Sequence, residues 1–191
     1  MFFKKIKFFF IIFIFYQTPL YSKSNSSGNF DAKNLSNYFS GIIAFENKNN
    51  SEALDYFNSS KILINEHDAY LQKYIFSLVL EKKVLNAINL IKRNKNNSNS
   101  NFLDFYILLV VDSLKKSNFD KAHQDLQSAF EFVENDRLNI AILESLKQYI
   151  FVFKEKKILE NKKDFGNLSL ISETFQSCYL NDSKTETLFS N

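Results

Sequence analysis

The chain has 191 residues with 24 basic and 21 acidic side chains, long enough for one sizeable core or a short array of units that share one. Only 3 Gly and 1 Pro occur, which leaves tight turns between strands poorly provided for and favours an all-helical chain. The net charge of +3 resides in Lys4, Lys5 and Lys7, and the rest of the chain balances, so the basic pI is no argument for a nucleic-acid face. A single cysteine, Cys178, excludes an intrachain disulfide, and no cysteine follows the apolar N-terminal run to carry a lipid anchor.

Residues 1–22 have the layout of a secretory signal: Lys4, Lys5 and Lys7, then an apolar core from Phe8 to Tyr16, then Pro19 and small residues. Leu20-Tyr21-Ser22 and Ser22-Lys23-Ser24 are both possible cleavage triplets. A membrane-spanning helix needs roughly 20 apolar residues. The run here is far shorter, so cleavage is expected rather than retention as an anchor, and the mature protein is expected in a bacterial periplasm. Residues 23–33 are polar and turn-rich and read as a flexible lead-in.

Helical patterning follows. Leu35, Tyr38, Phe39, Ile42 and Ile43 keep steps of three and four, and after a break at Asn47 to Asn50 the pattern resumes through Ala53, Leu54, Phe57, Lys61 and Ile64. Leu71, Tyr74, Ile75, Leu78 and Val79 form the next stripe. Lys82-Lys83 breaks it before Val84, Ala87, Ile88 and Ile91. The third pair opens at Asn101, a capping-type residue, and runs through the apolar segment Phe102 to Val111. It turns at Lys116-Ser117-Asn118 and continues with Phe119, Ala122, Leu126, Ala129, Phe130 and Val133. Beyond lie a stripe from Leu138 to Phe153, a charged run from Lys154 to Lys163, a weaker helix over Leu168 to Cys178, and a helix begun after Ser183.

The pairs are in register. Ala53, Ala87 and Ala122 stand 34 and 35 residues apart, each followed four positions on by a bulky apolar residue: Phe57, Ile91 and Leu126. Gly41 lies twelve before the first alanine, where two helices can approach closely. This pattern resembles the tetratricopeptide repeat, a helix-turn-helix unit of about 34 residues with a small residue late in its first helix and alanine early in its second. Ile75 and Val110 stand where that family places a small residue, Asn65 replaces its usual proline, and there is no Trp. The resemblance covers residues 34–135 as three hairpins. Residues 136–191 are expected to hold a degenerate fourth hairpin and an incomplete helix.

The resemblance implies a right-handed α-solenoid of stacked antiparallel hairpins, with Gly41, Ala53, Phe57, Ala87, Ile91, Ala122 and Leu126 packing the repeats. Its concave groove would be lined by first-helix positions: Tyr38, Ile42, Phe45, Gln72, Phe76, Leu80, Ile107 and Val111. Nearly all are apolar, which suits an apolar or amphipathic segment of a protein or peptide partner. Any one of them could instead serve the core.

Chemical sites are sparse. Only two histidines occur, His67 and His123, and neighbours such as Glu66 and Asp68 point in different directions from His67, so no metal site is expected. Cys178 has no basic or histidine partner nearby in sequence, and three scattered glycines cannot build a phosphate loop. The expectation is a scaffold with no catalytic activity, cofactor or nucleic-acid partner. The other reading is the N-terminal fragment or a structural subunit of a larger repeat-containing cell-envelope assembly.

Overall fold

The computed structural model describes residues 31–65, 67–94, 102–133 and 136–190. The expected signal segment and the capping-type Asn101 lie outside these residues. Among the described residues there is no strand. The helices are α1 (Ala32–Glu46), α2 (Asn50–Ser59), α3 (Asp68–Leu80), α4 (Val84–Asn94), α5 (Leu103–Lys115), α6 (Phe119–Phe130), α7 (Arg137–Glu155), α8 (Asn167–Tyr179) and α9 (Thr185–Phe189), with a 3-10 turn at Lys61–Asn65. The fold is all-α, and each helix packs against the next in the chain.

Two boundaries differ from the sequence pattern. Helix α1 begins at Ala32, so the end of the expected lead-in is helical. Helix α2 stops at Ser59, and Ile64 lies in the 3-10 turn. There the Ser60 hydroxyl donates to the Tyr56 carbonyl, and the buried Tyr70 hydroxyl donates to the Phe57 carbonyl. These side chains satisfy the last carbonyls of α2 and let the chain turn away from the helix axis.

One backbone device closes each of the first three hairpins. Lys48, Lys82 and Ser117 all adopt left-handed conformations, with φ of 61°, 60° and 56°. In each case the amide of that residue donates to the carbonyl three positions back, and the next amide reaches five back: Asn49 to Ala44, Lys83 to Leu78 and Asn118 to Ser113. This is the Schellman arrangement, which satisfies helix-end carbonyls and reverses the chain. The same residues then start the second helix, because the carbonyls of Asn49, Lys83 and Asn118 accept from the amides of Ala53, Ala87 and Ala122.

Ala53, Ala87 and Ala122 are fully buried, and Phe57, Ile91 and Leu126 are nearly so. Gly41 lies over the Phe57 ring so closely that a Cβ would fall 2.9 Å from Cε1. Apolar burial is continuous from α1 to α5 around Phe57, Tyr70, Ile75 and Ile91. A second core, around Val110, Leu126 and Leu143, joins α5, α6 and α7. Helix α5 serves both, giving Phe105 and Leu109 to the first and Tyr106 and Val110 to the second.

The last third holds α7, α8 and the short α9. Helix α7 lies against α6 and touches α5, while α8 packs on α7 and α9 folds back on α8. The Schellman turn recurs between α8 and α9, where Asn181 has φ of 54° and the Asp182 amide donates to the Ser177 carbonyl. The tight reversal in this part of the chain is therefore between α8 and α9. Helix α7 ends differently, with left-handed Lys156 donating to the Val152 carbonyl, and the charged run that follows carries the chain across to α8.

Candidate functional site

The left-handed turn residues give a common register for the first helices. Six positions before each stand Ile42, Phe76 and Val111, and these form the candidate groove row. Ile42 and Phe76 are half-buried, and Val111 is 47% exposed. Leu80, near the end of α3, is also exposed.

The remaining groove candidates divide. Tyr38, ten positions before its turn residue, is only 4% exposed, with its ring against Phe57, Tyr70 and His67. It belongs to the core because α3 follows close on α1 and covers that position. Ile107, at the same register, is half-buried in the second core. Gln72 is half-buried and reaches Asp104 of α5 at 3.5 Å. Phe45 is half-buried beneath Lys73, whose Nζ stands 4.6 Å from the ring centre and 2.8 Å from Glu46. The first helices are thus linked along one side by polar contacts, and of the apolar members Leu80 and Val111 are exposed, Phe76 is half-buried and Ile42 packs against the first core.

Electrostatics tie neighbouring hairpins together. Lys116, just past the end of α5, lies 2.7 Å from an Asp112 oxygen, and Lys92 of α4 approaches at 3.3 Å. Burial works against the Asp112 charge, yet the two ammonium groups outweigh it and hold the carboxyl below its ordinary range. Burial pushes the Tyr70 hydroxyl far above its usual value, in keeping with a structural donor. Tyr74 donates to Asn58 at 2.8 Å. It lines a cleft of about 490 Å³ between α2 and α4, whose described lining includes Lys61, Lys83 and Arg93 and no acid.

The residues singled out for chemistry are dispersed. His67 precedes α3, His123 lies on the exposed face of α6, and Cys178 is exposed near the end of α8. Among the described residues no group of three or more His, Cys, Asp or Glu could hold a metal, and no helix is long and apolar enough to cross a membrane.

A second surface was missed from sequence. A cleft of about 450 Å³ opens between α8 and α9, lined by Leu170, Ile171, Thr174, Phe175, Leu188 and Phe189 among others. Phe175 and Phe189 meet edge to face across it at 6.3 Å. Helix α8 buries Ser172, Thr174, Gln176 and Ser177 while Leu168, Ile171 and Phe175 are exposed, and Tyr179 lies edge to face on Phe153 of α7 at 4.7 Å. Both stripes are visible in the sequence. Their spacing alone does not say which one faces the protein, and amphipathic expectation points the wrong way. Comparison with known family models, curated proteins and solved structures found no match to this chain.

Proposed function

We propose that this chain is an exported, non-catalytic scaffold of the tetratricopeptide type, whose hairpins stack as a right-handed α-solenoid and hold a protein or peptide partner in a concave face. The supporting observation is the row Ile42, Phe76 and Val111, apolar side chains at one register of three successive first helices, half-buried in the first two and exposed in the third, with the exposed Leu80 four residues after Phe76. Such a row suits the apolar stripe of an amphipathic segment, with affinity coming from burial of that stripe. The 34- and 35-residue spacing of both the alanines and the left-handed turns supports the repeat reading. Export to the periplasm rests on the N-terminal signal pattern. Sequencing the N-terminus of the exported protein should find it starting at or near Lys23.

The test is cross-linking in the native compartment, with Phe76→Glu and Val111→Glu introduced together. Partner capture should be lost while helicity by circular dichroism is retained. Capture at the wild-type level by the double variant would remove the groove assignment. A second reading, a structural subunit of a larger cell-envelope assembly, is favoured by the outward apolar face of α8 and α9.

A further inference from the structure

Within the chain, each hairpin presents one face to the hairpin before it and another to the one after. The turn register identifies both. Nine and five positions before the left-handed residue, α3 has Lys73 and Ser77, and α5 has Leu108 and Asp112. Lys73 caps Phe45 and pairs with Glu46 of α1, and Ser77 is fully buried. Leu108 packs into the first core, and Asp112 binds Lys92 of α4. These positions meet the preceding hairpin. In α1 they are Phe39 and Ile43, which are 53% and 62% exposed.

The opposite face is found in the same way. Ten positions before the turn residue, α1 has Tyr38, whose ring centre lies 5.7 Å from that of Tyr70 of α3, and α3 has Gln72, which reaches Asp104 of α5. This position meets the following hairpin. In α8 it is Ile171, 53% exposed, and Phe189 of α9 adds an apolar ring at 59% beside it. The first and last hairpins thus expose, in apolar form, the two halves of the interface that joins hairpins internally.

We propose that copies of this chain associate head to tail, with the Phe39 and Ile43 face of one copy seated on the Ile171 and Phe189 face of the next. The inference rests on the structural-subunit reading and supplies its partner, a second copy. Continuity with the internal stacking selects that occupant, since each exposed face occupies the register position that a neighbouring hairpin covers elsewhere. The contact is heterologous, because different surfaces meet, and it propagates as an open file unless its rotation closes a ring.

Sedimentation velocity on the full chain tests this with two variants: Phe39→Glu with Ile43→Glu, blocking the head, and Ile171→Glu with Phe189→Glu, blocking the tail. The wild type should form species that grow with concentration, and each variant alone should sediment as a monomer. Mixed in equal amounts, the two should give a heterodimer and nothing larger, because only one compatible pair of faces remains. A wild type that stays monomeric, a head-blocked variant that still self-associates through its tail, or a mixture that stays monomeric overturns the proposal. Circular dichroism should show wild-type helicity in both variants, and serine replacements at the same positions repeat the test if glutamate lowers it. Cross-linking of the tail face to a different protein would preserve the subunit reading and overturn the second copy. Phe76→Glu with Val111→Glu should leave sedimentation unchanged, which separates this interface from the groove.

Discussion

At the scale of single residues, close approach and charge pairing do different work. Gly41 is required because the Phe57 ring, fixed by Tyr38 and Tyr70, occupies the space where a side chain would stand. In an exposed helix, alanine would stabilise by up to about 1 kcal/mol over glycine. Here overpacking reverses the sign, and Gly41→Ala should destabilise by about 1–2 kcal/mol in urea unfolding. Adding Phe57→Leu to that variant should cost less than Phe57→Leu costs in wild type, because the smaller side chain relieves the clash. Asp112 gives a pH signature. Its folded carboxyl is held below the ordinary value, so its contribution is present above about pH 4 and is lost as pH falls through the folded pKa. Asp112→Asn should lower stability at neutral pH by about 1 kcal/mol, and the gap from wild type should close in acid.

At the scale of elements, the repeat lies in the turns as much as in the helices. The alanines were legible because small buried residues recur at fixed spacing. The turns were less so, since Lys48, Lys82 and Ser117 occupy left-handed positions where glycine is usual, and nothing in a lysine announces that conformation. Left-handed backbone costs an L residue about 1–2 kcal/mol, partly offset for glycine by its greater unfolded-state freedom. Lys48→Gly and Lys82→Gly should therefore each raise the urea midpoint, by up to about 1 kcal/mol in stability, without changing helicity. The fourth turn escaped notice because Asn181 is followed by no alanine at the repeat position; Glu186 stands there.

At the scale of the whole molecule, helical content and the first three hairpins could be read from spacing, whereas the orientation of faces could not. Tyr38 and Phe39 are adjacent aromatic residues on one sequence stripe, yet one is core and the other open. Which is which depends on where α3 lies. The orientation of α8 is the sharper case, since the side chains it buries are polar and the aromatic pair Phe153–Tyr179 lies at the exposed edge of its contact with α7. Gln176 Nε2 donates to Gln148 at 3.3 Å and to Ser172 at 2.9 Å, while the Gln176 side-chain oxygen Oε1 and the Ser177 hydroxyl are buried without a hydrogen bond. Such an interface stabilises less than the apolar ones before it. Amide hydrogen exchange should accordingly find α8 and α9 opening well before α1 to α6, and equal protection throughout would contradict this ordering.

Helix α5 has a further thermodynamic consequence. A chain whose helices pack consecutively can be described by the intrinsic stability of each unit and by a coupling between neighbours. Because α5 places Phe105 and Leu109 in one core and Tyr106 and Val110 in the other, it is the link through which that coupling passes. A folded–unfolded boundary at this helix would leave half of its apolar circumference in water. Boundaries there are suppressed, and in calorimetry α1 to α7 should melt as one transition whose van't Hoff enthalpy approaches the calorimetric value.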